Sequence, residues 1–266
     1  MAKPKFDIAY KRKLLYKRKK RRQLIFRFSL LFICIIVFSL FLLFSKKSSV
    51  NKNITASTTS NNNTDNKIVV CIDPGHGDWD TGAKGLSGVL EKDIVLDISL
   101  KLGKLLEENG VKVVYTRTND SLTWLDNSND SLKERIKFSE VLKADLFVSI
   151  HCNSDYNNQD SKGVETWYKL KDENSKNLAL TIQNELINAN YTEDRKVKTY
   201  SNKEDALAVL ELNSSIPVLL ELGFLSNQSD ERYLKSDKGK DAIITAIKNA
   251  LLDYIEENKA SILKDR

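Results

Sequence analysis

From residue 68 onward, apolar and polar positions follow two alternating rhythms. Ile68-Val69-Val70-Cys71-Ile72-Asp73 is a continuous apolar run closed by Pro74-Gly75, the pattern of a strand covered on both faces. Ile94, Val95, Ile98, Leu102, Leu105 and Leu106 then recur at helical spacing, which predicts an amphipathic helix over 92–109 that Gly110 stops. Further strands are predicted at 111–116, 146–151, 163–168 and 217–222, with a short one at 207–210. Ser131 and Glu134 match a capping box opening a helix to about residue 143. Leu178, Ile182 and Leu186 mark a helix over 175–190, and Ile243, Ile247, Ala250, Leu251 and Tyr254 mark a closing helix over 239–256. Strands alternating with helices predict one α/β domain, residues 68–257, with a mainly parallel sheet flanked by helices and a tail at 258–266.

The first 67 residues follow neither rhythm. Phe28 to Phe44 is an uncharged apolar run of 17 residues, about 25 Å as a helix, with Arg27 and Lys46 able to snorkel at its ends. It is predicted to be a transmembrane signal-anchor over 28–45. Basic residues crowd before it: residues 1–27 hold 12 Lys or Arg and one acidic residue. By the positive-inside tendency the N-terminus stays in the cytoplasm and the rest of the chain lies outside, a single-pass arrangement in the cell membrane. A cleaved signal peptide is the rival, but Phe44-Ser45-Lys46-Lys47 offers no small-residue cleavage site. Residues 46–67, rich in Ser, Thr and Asn, predict a flexible linker.

Charge narrows the function classes. The chain carries +6 overall, yet residues 28–266 hold 30 basic and 35 acidic side chains. The basic character belongs to the N-terminal segment, where it serves topology and anionic lipid, so no nucleic-acid partner is expected. Three cysteines, Cys34, Cys71 and Cys152, make no disulfide framework; Cys71 and Cys152 read as buried free thiols, with Cys152 as a metal ligand the sharper alternative. Nothing in the sequence specifies an oligomeric state.

Two histidines occur in the whole chain, His76 and His151, each at or just past the C-terminal end of a predicted buried strand. In a parallel sheet those ends share one edge, where sites form. Gly75 and Gly77 flank His76 and let the chain turn sharply there. Glu91, at the start of the first helix, reads equally as a charge complementing the helix dipole or as a ligand. Glu221 sits in the apolar strand 217–222, so it is either half of a buried ion pair or functional. Two His and one Glu form a set suited to Zn²⁺ that leaves a fourth position for water, and a second carboxylate is then needed to move a proton. Glu91 as ligand and Glu221 as base fill those places. The H-E-x-x-H signature is absent.

At these residues the chain resembles the zinc-dependent N-acetylmuramoyl-L-alanine amidases of type 3, which hydrolyse the bond between N-acetylmuramic acid and L-alanine in peptidoglycan. The segments that carry the resemblance are IDPGHGDWDTGAKG (72–85), LEKDIVLDIS (90–99), VVYTRTND (113–120), LKERIKF (132–138), ADLFVSIHCNS (144–154), KGVETWY (162–168) and PVLLELGFLSN (217–227). The resemblance implies one zinc per chain on His76, Glu91 and His151, Glu221 as the catalytic carboxylate, and a twisted mixed sheet flanked by helices. It also carries Asn153 over as a substrate contact, and it makes peptidoglycan the partner, met on the wall side of the membrane. Arg117 and Arg135 match the pattern without an assigned chemistry. Asp78 stands where the family often has a second Gly, and Cys152 where Ala is more usual. The stretch 168–207 is too short for the zinc-blocking helix of Gram-negative division amidases. Two alternatives accompany this reading: a non-catalytic wall-binding protein on the same fold, and a zinc amide hydrolase with another substrate.

Overall fold

The computed structural model describes residues 67–122 and 128–264. The expected N-terminal segment, signal-anchor and almost all of the linker lie outside the described residues. Among the described residues no helix is long and apolar enough to cross a membrane.

The strands are β1 (Val69–Pro74), β2 (Lys112–Tyr115), β3 (Leu146–Asn153), β4 (Val164–Tyr168), β5 (Asp194–Lys198) and β6 (Ile216–Phe224). They form one sheet in the order β2-β1-β3-β6-β4-β5. β2, β1, β3 and β6 run parallel to one another; β4 lies antiparallel to β6, and β5 parallel to β4. The sheet is therefore mixed. The helices are α1 (Glu91–Glu108), α2 (Ser128–Val141), α3 (Glu173–Asn188), α4 (Ala208–Glu211), α5 (Gln228–Lys235) and α6 (Asp237–Lys264).

The continuous apolar runs become the central strands for the expected reason. All six residues of β1 are buried, because both faces of the sheet are covered. Val70, Ile72, Leu146, Val148, Ile150, Val218 and Leu220 pack on one face with the apolar stripes of α1, α3 and α6. Cys71, Phe147 and Leu219 point to the other face, against Ile136 of α2 and Val209 and Leu210 of α4. Cys71 and Cys152 are free and buried, as expected.

Three expectations shift. The predicted strand 207–210 folds as the single turn α4, with Leu207 O accepting from Leu210 N and Glu211 N at 2.9 and 3.0 Å. Periodicity cannot tell so short an apolar run from a buried helical turn. α2 begins three residues before Ser131, with the Asp130 carboxylate in its first turn, where it suits the positive end of the helix. The capping-box position is therefore inside the helix. α6 runs on to Lys264, through most of the segment assigned to a tail.

Candidate metal centre and active site

The strand order places β1 between β2 and β3, so the chain leaves the C-terminal end of β1 at a switch point of the sheet, where parallel sheets bind ligands. His76 lies in the loop leaving β1, and His151 lies near the end of β3. The loop turns through three successive left-handed residues, His76 (φ 60), Gly77 (φ 127) and Asp78 (φ 54). A histidine in that conformation is uncommon, and two buried arginines hold it there. Arg135 Nη2 donates to His76 O at 2.6 Å, while Arg117 donates from Nε to Pro74 O at 3.0 Å and from Nη2 to Gly75 O at 2.8 Å. Arg135 is itself anchored on the buried Asp73 at 2.6 Å. These two arginines, which the sequence left without a role, fix the backbone beneath His76.

Glu91 is the first residue of α1 and is almost wholly buried. Its Oε2 accepts from Ala83 N at 2.7 Å and its Oε1 from Cys152 N at 2.9 Å, so two backbone donors aim the carboxylate. His76 Nε2 and His151 Nδ1 each lie 3.0 Å from Glu91 Oε1 and 3.1 Å from each other. The two rings meet edge to face, centroids 4.8 Å apart. Clearance for them comes from Gly75, where a Cβ would come within 2.3 Å of the His151 ring, and Gly82, where it would come within 2.4 Å of Glu91 Oε2.

His76, Glu91 and His151 are the group of potential ligands that converges among the described residues. Four ligands placed tetrahedrally about 2.0–2.1 Å from a zinc ion stand about 3.3 Å apart, close to the spacing observed here. The donor set suits zinc as well: two imidazoles, one carboxylate, and room for a fourth ligand. Asp80 Oδ2 lies 2.9 Å from His76 Nδ1, which leaves Nε2 directed at the site. Burial pushes the His76 pKa down, but Glu91 and Asp80 outweigh it and raise it above the ordinary value. Burial likewise pushes the Glu91 carboxyl up, and the hydrogen bonds from His151 and His76 hold it well below the usual range. Cys152 contributes its backbone N–H to Glu91, and its thiol is not in the converging group.

Glu221 lies beside His151 across the β3–β6 ladder, on the same face of the sheet. Its Oε2 is buried without a hydrogen-bond partner among the described residues. Burial, then the charges of Glu91 and Glu165, pushes this carboxyl well above the usual range, with Lys198 opposing. An orphaned, hard-to-ionise carboxyl one strand from the triad is the arrangement expected of a proton carrier. No hydrogen bond joins Asn153 to the triad among the described residues. Its Nδ2 lies 3.4 Å from Glu165 Oε1 and its Oδ1 accepts from Ser154 N.

A family-wide sequence profile described as "N-acetylmuramoyl-L-alanine amidase" matches residues 70–253, a stretch holding all five of these residues. The chain belongs to the N-acetylmuramoyl-L-alanine amidase family. It is 37% identical over 203 residues to the N-acetylmuramoyl-L-alanine amidase LytC of Bacillus subtilis, a match covering 74% of this chain and 38% of LytC. With YqiI of the same organism it shares 36% identity over 190 residues, covering 71% of this chain and 85% of YqiI. The catalytic domain of CwlV, an N-acetylmuramoyl-L-alanine amidase from Bacillus (Paenibacillus) polymyxa var. colistinus, superposes with a TM-score of 0.63 at 33% identity, covering 71% of this chain and 98% of that domain. The amidase fold is therefore present nearly entire, while the chain spans well under half the length of LytC.

Sequence reasoning missed Asp80 and the polar cluster around Glu165. Asp80 could have been found from its place four residues after a loop histidine. Glu165 could have been flagged as a lone carboxylate in the apolar run Val164 to Tyr168.

Proposed function

We propose that this chain is a zinc-dependent peptidoglycan amidase that hydrolyses the bond between N-acetylmuramic acid and L-alanine. The observation that carries the proposal is the convergence of His76 Nε2, Glu91 Oε1 and His151 Nδ1 beside the unpartnered Oε2 of Glu221. His76, Glu91 and His151 would hold the ion, with Asp80 fixing the His76 tautomer. Bound there, zinc supplies a Lewis acid for the amide carbonyl and brings the pKa of a water molecule towards neutrality. Glu221 takes a proton from the attacking water and delivers it to the amide nitrogen. The carbon–nitrogen bond breaks, the sugar keeps a lactyl carboxylate, and the peptide leaves with the free amine of L-alanine. The unpartnered Oε2 suits this division of labour, since Glu221 must change protonation state twice in each turnover.

The proposal includes a place of action. Residues 28–45 anchor the chain as a single membrane pass, residues 46–67 tether the domain, and the site faces the cell wall. The apolar run behind a block of basic residues supports this, as does the wall substrate.

The test uses the full-length chain. One zinc per chain, with chelator-sensitive release of new L-alanine amino termini from purified peptidoglycan, is the expected result. A zinc-loaded chain that releases none overturns the proposal.

A further inference from the structure

Glu165 faces Glu221 directly across the antiparallel β4–β6 ladder, and His151 faces Glu221 from the other side. One row of side chains therefore crosses the sheet from β3 through β6 to β4 on a single face. On β5 the row continues with a bulge: Val164 pairs with Asp194 and Thr166 with Val197, so two residues stand against Glu165. Lys196 takes the left-handed conformation there (φ 70) and turns its side chain to Asp194. Arg195 and Lys198 instead both reach Glu165 Oε2, Arg195 through Nε at 2.8 Å. Glu165 Oε1 accepts from Trp167 Nε1 at 3.0 Å and lies 3.4 Å from Asn153 Nδ2.

Within this cluster two cations share one directly bonded carboxylate. Glu165 is one carboxylate serving two cations, and the neighbouring ion pairs Lys162–Glu193 and Lys196–Asp194 are each complete. Arg195 and Lys198 are each about one-third exposed, at 36% and 31%, so both side chains are partly open to solvent. They are also held in place. The Arg195 guanidinium lies 4.8 Å from the centre of the Phe224 ring and Lys198 Nζ lies 5.6 Å from that of Trp167. The Arg195 stem rests on Gly163, where a Cβ would come within 2.6 Å of it. Arg195 Nη2 has no hydrogen-bond partner among the described residues, so one arm of the guanidinium is free to bind an anion.

We propose that Arg195 and Lys198 form a subsite that binds a carboxylate of the peptide attached to the scissile amide. The inference rests on the amidase reading above. In that substrate the muramic carboxyl is tied up as the amide, so carboxylates lie on the peptide side. β5 lies two strands from β6, about 10 Å, and an extended peptide advances about 3.3 Å per residue. A carboxylate within the first residues beyond L-alanine is therefore in reach. On this reading Arg195 and Lys198 are specificity-determining residues.

The test compares two soluble muramoyl-L-alanyl peptides that differ in one group, a free carboxylate in one and the carboxamide in the other. The zinc-loaded full chain is expected to favour the carboxylate through KM, roughly 10- to 100-fold, the range of a charge-assisted hydrogen bond. In R195Q/K198Q that preference falls to near unity, and in R195K it is partly kept. The ratio of the two substrates is independent of how much of a variant is folded, so loss of stability does not obscure the result. Equal cleavage by the wild type, or a preference that survives in R195Q/K198Q, overturns the proposal. Failure of the amidase reading is separately visible: the wild type then releases no L-alanine amino termini from whole peptidoglycan, and the subsite falls with it.

Discussion

Glu221 and Glu165 stand directly opposite each other on adjacent strands, yet their circumstances are opposite. Glu165 accepts from Arg195, Lys198 and Trp167, which outweigh its burial and keep its carboxyl below the usual range. Glu221 has a buried oxygen with no hydrogen-bond partner among the described residues, and its carboxyl is pushed up by burial and by Glu91 and Glu165. One carboxylate is a fixed anion and the other is poised to exchange a proton. Glu221→Gln keeps the shape and removes that exchange. The variant is expected to bind one zinc per chain and lose roughly 10²- to 10⁴-fold in kcat. Metal analysis beside a turnover assay checks both halves, and near-normal kcat would remove Glu221 from the chemistry.

Asp80 touches His76 at the nitrogen that faces away from the triad. Asp80→Ala should therefore leave the fold intact and weaken zinc binding by roughly 10- to 100-fold, the usual effect of removing a partner behind a ligating histidine. Competition with a chromophoric chelator measures this, and unchanged affinity would show that the contact does not orient the ring.

Gly75 makes room for the His151 ring, with 2.3 Å between its would-be Cβ and the imidazole. Gly75→Ala must push the ring or the loop aside by a sizeable fraction of an ångström. Misplacement of about 1 Å can cost about 10²-fold in rate. The expected variant melts near the wild-type temperature but has impaired zinc retention and turnover. Wild-type activity would mean that the loop yields without disturbing the ligands.

Asp73 lies beneath this loop, accepting from Thr116, Arg135 and Ser149 at 2.5, 2.6 and 2.7 Å. Burial raises its carboxyl pKa, but Arg135 and the two hydroxyls outweigh that and hold it below the ordinary value. A depressed folded-state pKa means stability that is fully present above the unfolded value, about 3.9, and lost as pH falls through the folded one. Asp73→Asn removes the charge facing Arg135 and is expected to destabilise by about 3–5 kcal/mol near neutrality. The gap between wild type and variant should stay constant from about pH 7 to pH 5 and narrow below about pH 4. Denaturant melts across that range test it, and a gap that widens in acid would contradict the assigned sign.

The parts of the fold that the sequence made legible are those where burial dictates residue type. β1, β3 and β6 are covered on both faces and read as apolar runs, and α1, α3 and α6 carry apolar stripes. β5 escaped notice because Asp-Arg-Lys-Val-Lys, an edge strand, is written in charges, and α5 because Gln-Ser-Asp-Glu-Arg-Tyr-Leu-Lys has so few apolar positions. The same logic divides the site. His76, His151 and Glu221 stood out as polar residues at the ends of apolar strands, and they meet at one edge of the sheet. Arg195 and Lys198 look like ordinary surface cations along the chain. Only the β5 bulge and the antiparallel turn of β4 bring them into one row with Glu221, and long-range pairing of that kind is not written locally.

The central claim concerns which bond is cut, so the most direct measurement is the chemistry of the new ends in a peptidoglycan digest made by the zinc-loaded full chain. The account predicts new amino termini on L-alanine alone, with intact glycan strands, and their disappearance in Glu221→Gln that still holds zinc. New reducing sugar ends, or new amino termini on other residues of the peptide, would place the cut elsewhere and contradict it.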